Sequence, residues 1–436
     1  MHRRMLVIYL ALTVIATVGS GQQPDPAKSG TPKRMLPGVE ADGAIRLHNT
    51  WSLKPAGKQL ELGDFPVNIA LHPSGDWLAV LHCGYGEHEI ITVDIKGPKQ
   101  KVISRTRIDQ GFYGLCFSPG GDKLYASGGE QSVVHAFDCS KGLLSNHGTI
   151  GLVKNAFAGG LAMDPDGKRL AVAETWSHGI SVLNVAPAAG VGTATVTIKP
   201  EAKSYPYTCL FDKERKRLNV SLWAKAKIAV VDLDTMKIVD HYATERHPTE
   251  MALSPDGKHL YVACANSTKV SVLSAADGKA VQTIATSLFP NAPPGTTPCS
   301  LSMTPDGELL FVANADNNNV ALFNIADAKN AKPLGFIPVG YYPTSVRYDH
   351  HNKRIFVSNA RGSTVKANRS GPNPLLPPNQ SVREYIAGLY RGTLTILPMP
   401  NEQQMIAYSQ QAYTCAPLRQ DLGVRGPVPK NSPIPA

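Results

Sequence analysis

His247–Leu273 reads HPTEMALSPDGKHLYVACANSTKVSVL, and Thr297–Phe323 repeats its plan as TPCSLSMTPDGELLFVANADNNNVALF. A third copy, AGGLAMDPDGKRLAVAETWSHGISVL, runs from Ala158 to Leu183. More worn copies begin at Phe65, Phe112, Tyr205 and Tyr341, which makes seven. Their spacing is roughly 42–50 residues, the range in which fixed-period repeats build propeller blades. Within one copy, an alternating apolar run (Met251, Leu253) meets Pro255-Asp256-Gly257. This is a tight-turn sequence, because Pro fixes φ, Asp caps locally and Gly takes positive φ. A second strand follows at once (Leu260, Tyr261, Val262), so the unit opens as a hairpin. A third strand (Val270, Val272) and a fourth (Val281, Thr283) complete it. Four antiparallel strands repeated radially make a propeller blade. An all-β sandwich would not repeat the same columns in every copy.

The chain is therefore expected to be all-β: a seven-bladed β-propeller of four-stranded antiparallel blades, closed by an N-terminal strand that completes the last blade. The seventh copy has an outer hairpin and, after a long insertion, a third strand at Gly392–Leu397, but no fourth. Trp51–Leu62 precedes the first copy and has no blade of its own. Pairing the two removes an exposed sheet edge, which would otherwise invite aggregation.

The ends carry other signals. Arg3 and Arg4, the apolar stretch Met5–Val18 and the small residues after it form a secretory leader pattern. The expected divisions are a signal peptide at 1–21, a linker at 22–43, the propeller at 44–400, and a short helix with a Pro-rich tail at 401–436. The apolar core of the leader is shorter than the roughly 20 residues of a membrane span, so a periplasmic or secreted protein without a membrane span is expected. The net charge of +10 is spread over the blades. Its clusters, at Lys213–Arg217 and Lys225–Lys227, lack the interleaved aromatics that nucleic-acid binding asks for, so no nucleic-acid partner is expected. The seven cysteines leave at least one free thiol. Most read as packing residues, with Cys83 and Cys264 placed to face the central channel. His350-His351 replaces a Pro-Asp-Gly turn and reads as surface.

No nucleophile elbow, HExxH, Walker loop or dinucleotide fingerprint occurs, so no catalytic residue, metal or cofactor is assigned. Function on a propeller belongs at a channel mouth, where second-to-third strand loops and fourth-to-first connections meet. One aligned column, at the end of the second strand, reads His82, Gly128, Glu174, Leu222, Cys264, Asn314, Asn359. Another, entering the first strand, reads Asn68, Gly114, Gly160, Thr208, Glu250, Ser300, Ser345. Tyr85, His88, Trp176, His178, Trp223 and Arg361 lie on nearby loops. The candidate ligand-binding set is Asn68, His82, Glu174, Glu250, Asn314, Asn359 and Arg361. The plainer role for these groups is to line a water-filled channel. The long insertion Arg361–Arg391, stiffened by Pro372, Pro374, Pro377 and Pro378, lies in one such loop, and long ordered insertions are often functional.

The repeats resemble those of the YVTN family of seven-bladed propellers, also called YncE-like or lactonase-like. The pattern P-t-x-I-a-x-S-P-D-G-k-x-L-y-V-a-N is matched best at Pro248–Ala265 and Pro298–Asn314. Asn49–Gly57, Ser370–Pro374, Tyr385–Leu389, Arg391–Leu394, the helix-like Met405–Tyr408 and Asn431–Ile434 are similar to bacterial proteins that join such a propeller to an alkaline-phosphatase-type phosphoesterase domain. The resemblance implies an exported, non-catalytic module that binds a small ligand or protein at the channel mouth. It also makes the chain a candidate for the detached propeller half of such a phosphoesterase, with that domain as partner. The phosphoesterase metal and nucleophile residues have no positions here. The alternative is a lactonase-like hydrolase with Glu174 as base or metal ligand and Asn314 and Asn359 as supporting oxygen ligands. A third reading is a cell-envelope scaffold.

Overall fold

The computed structural model describes residues 36–185, 193–212, 214–290, 292–371 and 384–417. The leader at 1–21, the linker up to residue 35, the prolines Pro372, Pro374, Pro377 and Pro378, and the tail from 418 lie outside the described residues.

The Pro-Asp-Gly turns behave as their chemistry dictates. In the fifth copy the Gly257 amide donates to the Ser254 carbonyl at 2.8 Å, and Gly257 takes φ +66°. The Ser254 hydroxyl donates to Asp256 Oδ1 at 2.6 Å, which holds the Asp256 carboxyl down at about 2. The worn turns of blades 4 and 7 have no glycine and take their positive φ one residue later, at Lys216 (+49°) and Lys353 (+50°). Each such residue costs roughly 1–2 kcal/mol relative to glycine.

Among the described residues, seven four-stranded antiparallel sheets result, together with one small three-stranded sheet. Blade 5 is typical, with strands Pro248–Leu253, His259–Cys264, Lys269–Ser274 and Ala280–Ala285 paired in that order. Side chains alternate across a strand, so one strand feeds two interfaces. Leu260 and Val262 pack with Ile228 and Val230 of blade 4, whereas Tyr261 and Ala263 pack with Leu310 and Val312 of blade 6. Every adjacent pair of blades is joined in this way by its own apolar cluster. Burial on both faces explains why the second strands are nearly continuously apolar.

The last blade closes as the sequence anticipates. Lys58–Glu61 pairs antiparallel with Thr393–Pro398, Leu60 opposite Leu394. Leu62 is buried with Phe356 and Leu394 of blade 7 and Leu78 and Val80 of blade 1. The Thr393 and Thr395 hydroxyls donate to Gln59 Oε1 at 3.2 and 2.9 Å. Only the second half of Trp51–Leu62 serves this purpose. Ser52–Leu53 instead pairs with Ile45–Arg46, which pairs with Gly38–Val39. Residues 36–43, expected to be linker, thus carry a strand, because Asp42-Gly43 makes a hairpin turn. This sheet packs Ile45, Leu47 and Leu53 against Val365 of the insertion.

The helix Glu402–Cys415 starts at an Asn401–Gln404 capping box and lies along the outer strand of blade 6. There Ser409 Oγ accepts the Phe336 amide at 3.0 Å, and Ala412 joins the apolar cluster. It covers part of an edge that would otherwise be free. No described helix is long and apolar enough to cross a membrane.

Deleting Trp51–Leu62 should strip the fourth strand from blade 7. We expect the melting temperature to fall by more than about 5 °C, with loss of amide-exchange protection over Thr393–Pro398. Unchanged melting and protection would show that the closure carries no stability.

Candidate functional site

The column entering the first strands converges, and it does so by stitching neighbouring blades together. Asn68 Nδ2 donates to the Tyr113 carbonyl of blade 2 at 2.9 Å, and Thr208 Oγ1 to the Thr249 carbonyl of blade 5 at 2.7 Å. Glu250 Oε2 accepts the Leu301 amide of blade 6 at 2.8 Å, and Ser300 Oγ the Val346 amide of blade 7 at 3.1 Å. Ser345 Oγ accepts the Ile69 amide of blade 1 at 3.3 Å and closes the ring. Gly114 and Gly160 hold this column in blades 2 and 3 because the neighbouring strand is too near for a side chain. A Cβ on Gly160 would sit 2.5 Å from the Tyr207 carbonyl oxygen.

Arg347 crosses the centre of this ring. Its Nη2 donates to Glu250 Oε1 at 2.7 Å and to Asn68 Oδ1 at 2.9 Å, its Nη1 to Ser300 Oγ at 3.1 Å, and its Nε to the Ile69 carbonyl at 3.0 Å. One guanidinium therefore ties blade 7 to blades 1, 5 and 6. Toward the loop face, the rings of the buried Tyr113 and the half-buried Tyr207 meet with centroids 5.2 Å apart. Burial holds both phenols well above their ordinary range, so they are neutral. The expected water-filled channel is instead blocked at mid-height by side chains. On the turn face an open depression of 370 Å³ remains, lined by Leu71, Pro73, Cys116, Met163 and Pro165, with Arg347 also contributing.

The column at the ends of the second strands does not converge on the mouth. His82, Glu174, Asn314 and Asn359 are each fully buried, and each bonds within its own blade, Asn314 donating also to the Thr286 carbonyl just after blade 5. The Ser177 and Ser181 hydroxyls donate to Glu174. Asn314 Nδ2 donates to Asn319 Oδ1 at 2.9 Å, and Asn359 Nδ2 to Thr395 Oγ1 at 2.9 Å. Cys264 is likewise sealed against Ser271 rather than facing the channel. These groups brace the loops that follow them. The arrangement of Glu174 with Asn314 and Asn359 as one oxygen site is therefore not formed, because their side chains turn toward the third strand of separate blades.

What rings the mouth is a third column, three residues before the Asn68 column: Phe65, Phe157, Tyr205, His247, Thr297 and Tyr342, with Phe112 next to Gly111, which holds the position in blade 2. The first six sit near φ +47° to +64°, a conformation costly for bulky residues. Phe65 lies 6.2 Å from Tyr342 and Phe112 lies 4.9 Å from Phe157, ring to ring. Arg361 stands at this rim over the Tyr341 and Tyr342 rings, 4.9 Å from each centroid, and donates to the Tyr341 hydroxyl at 2.9 Å. The insertion adds Tyr390, beneath the same guanidinium at 5.7 Å, and Tyr385, 4.6 Å from Tyr85. Sequence reasoning placed Asn68, Glu250 and Arg361 near the channel but missed Arg347, Tyr113 and Tyr207. Arg347 was detectable: it is the only charge in a column otherwise reading Ala70, Cys116, Ala162, Leu210, Ala252, Ser302.

Among the described residues, no three His, Cys, Asp or Glu side chains come together to hold a metal ion. All the cysteines are free thiols. Burial pushes Cys83, Cys116 and Cys139 up to about 12, which fits packing roles. His350 and His351 sit exposed on their turn.

Removing Arg347 leaves Glu250 in the channel without its cation. Arg347→Ala should lower the urea-unfolding free energy by about 3–5 kcal/mol, and adding Glu250→Ala should restore part of it. A cost under about 1 kcal/mol would remove the guanidinium from its bracing role.

His82 gives a pH test. Burial holds its imidazole down at about 3, with Nε2 unpartnered. The unfolded histidine takes a proton near 6.5, so stability is complete above that pH and falls as pH drops from about 6.5 toward 3. Between pH 7 and pH 4 this group alone should cost about 3 kcal/mol. His82→Gln should flatten the stability curve by that amount, and equal slopes would sink the assignment.

Two family models match the chain: a seven-bladed β-propeller lactonase model over residues 241–373, and a YncE-like β-propeller model over residues 154–295. Many solved structures are similar, among them the following three. Hydrazine synthase from Kuenenia stuttgartiensis shares 16% identity at TM-score 0.57, over 70% of this chain and 96% of that one. A putative 6-phosphogluconolactonase from Bacteroides fragilis shares 15% at 0.55, over 71% and 96%. A protein from Lactobacillus plantarum shares 17% at 0.59, over 71% and 97%. No curated protein sequence matches the chain. At these identities the structural likeness is one of fold, and with the repeats and the two partial family matches it leads to one conclusion: the chain is a seven-bladed β-propeller whose blades resemble YncE-like and lactonase-like repeats over residues 154–373.

Proposed function

We propose that this protein is a non-catalytic binding module, exported to the periplasm or beyond, that takes a ligand or protein segment at its loop-face mouth. The observation that supports this most is the aromatic rim above a blocked channel. Five of the seven rim positions carry rings and Phe112 adds a sixth beside Gly111, while Tyr113, Tyr207 and Arg347 fill the space below. This makes a shallow bowl with apolar walls and one cation, Arg361, at its edge. Nη1 of that guanidinium is engaged by Tyr341, and its other donors make no hydrogen bond to the described residues. Such a group suits a carboxylate or phosphate. Glu174 contributes indirectly by holding Ser177 in the loop that carries Trp176.

A hydrolase base needs a free carboxylate or imidazole within reach of the reacting group. Glu174 and Glu250 are both already bonded, to Ser177 and Ser181 and to Arg347 respectively. The second reading, a lactonase-like hydrolase, draws on the family model over 241–373, the stretch that contains Glu250 and Arg347.

A thermal-shift screen followed by amide exchange tests the proposal. Stabilising ligands should protect the backbone around Phe65, Phe157 and Tyr205, and Arg361→Ala and Glu174→Ala should each weaken binding by about tenfold. Protection confined to the turn face, with both variants binding normally, refutes the mouth. Turnover of a sugar lactone that Glu250→Gln abolishes would replace this reading with the hydrolase.

A further inference from the structure

The loop face is not uniform. The described part of the insertion reaches blades 1 and 7, where Tyr385 meets Tyr85 and Tyr390 meets Tyr341. Over blades 3 to 5 the aromatics stay open: Trp176 is 52% exposed, Tyr205 37% and Trp223 38%. Each ring is held in place by a neighbour. Trp176 leans on Phe157 at 4.4 Å, Trp223 stacks on His247 at 4.0 Å, and Tyr205 meets the edge of His178 at 4.6 Å. Rings backed on one side and open on the other are rigid platforms that bind without large ordering cost.

Cations surround these platforms. Lys199 Nζ donates to the Ser177 carbonyl at 3.1 Å, which places its charge beside Trp176. Lys225 and Lys227 share the single carboxylate of Glu201, at 3.5 and 3.1 Å, so that trio is net positive. Lys203 and Arg246 are exposed and form no ion pair with the described residues. The sector therefore combines flat apolar faces with an excess of positive charge.

We infer that the loop face of blades 3 to 5 binds an anionic polysaccharide whose charge is carried by uronic-acid carboxylates. The inference rests on the mouth-binding reading and names its ligand class. A pyranose ring presents an apolar C–H face that lies flat on an aromatic platform, and its hydroxyls stay in water, which an open bowl allows. Lysines supply point charges without demanding fork geometry, and this suits carboxylates spaced along a polymer. A polypeptide partner would be met by an unpaired strand edge or an apolar groove, and this sector offers loops. A nucleic acid could stack on the same rings, but the leader pattern at 1–21 directs the chain to compartments where acidic polysaccharides are the commoner polyanions.

Calorimetric titration of the full mature chain with defined oligogalacturonates is the test, beside neutral dextran, polyglutamate and oligo(dT). Oligogalacturonate should bind with affinity falling as salt rises, and dextran should bind more weakly by about tenfold or more. Trp176→Ala and Trp223→Ala should each cost about tenfold, while Lys203→Gln with Arg246→Gln should flatten the salt dependence. All four positions are on exposed loops, and unchanged melting temperatures confirm that the variants fold. Absence of oligogalacturonate binding, or binding that neither tryptophan variant weakens, overturns the inference. Tighter binding of oligo(dT) or polyglutamate overturns the ligand class. If another ligand protects the mouth while oligogalacturonate does not bind, the mouth reading stands and this inference falls alone.

Discussion

Each innermost strand must reach the next one, and the rest of the structure depends on that contact. A blade buries its two faces against its neighbours through apolar clusters, but such clusters do not fix how far apart the inner strands sit. Directional hydrogen bonds do. Asn68, Thr208, Glu250, Ser300 and Ser345 occupy one column and each bonds to the backbone of the following blade. Gly114 and Gly160 occupy the same column where the strands approach most closely. Arg347 then spans the ring. Its pairing with Glu250 takes place where both side chains are largely shielded, at 19% and 15% exposure. In such surroundings a charge is tolerable only when paired and hydrogen-bonded. This one meets a carboxylate, an amide oxygen, a hydroxyl and backbone carbonyls together.

This constraint has a consequence for function. Groups that hold the ring cannot also bind a ligand without loosening it. Glu250 and Asn68, polar and central, are occupied with closure, and the neutral Tyr113 and Tyr207 cap them. Recognition is therefore displaced to the rim, where the chain turns from its radial connection into the inner strand. That turn requires positive φ, and bulky side chains adopt it there in spite of its cost. Glycine would relieve the strain but would remove the ring, so the retained aromatics are what the rim contributes. The loops beside it are braced from below by Glu174, Asn314 and Asn359, so the rim is held before any ligand arrives.

The fold was legible in the sequence because the copies repeat both the turn chemistry and the alternation of strands. Closure was legible because the seventh copy lacks a strand and the N-terminal segment has one to spare. The column at Asn68 could be read as central, since its residues sit at the start of innermost strands. The column at Glu174 was harder. Alignment gives a residue's height along a strand, but not the side to which its side chain turns. In a strand, successive side chains point to opposite faces, and one position decides between the channel and the third strand. His82 and Asn359 lie at the right height and turn the other way. Tyr113 and Tyr207 were missed because their column also holds Val67, Gly159, Cys299 and Thr344, and so shows no common chemistry.

The same comparison separates what the repeat requires from what this chain adds. Where copies agree, as in the Pro-Asp-Gly turns, the residues serve a backbone shape that every blade needs. Where one copy departs, the departure needs a local reason. Arg347 has one in the bracing of the channel. Trp176 and Trp223 follow the second strands of blades 3 and 4, where blades 5 and 6 carry Asn266 and Asp316 in place of the first and Ala265 and Ala315 in place of the second. Half-exposed indoles contribute little to the core, since burial rather than presence stabilises. Their backing by Phe157 and His247 costs two further aromatic side chains at the rim. An arrangement that holds four rings for so little buried area is better explained by what the open faces touch than by what the covered faces stabilise.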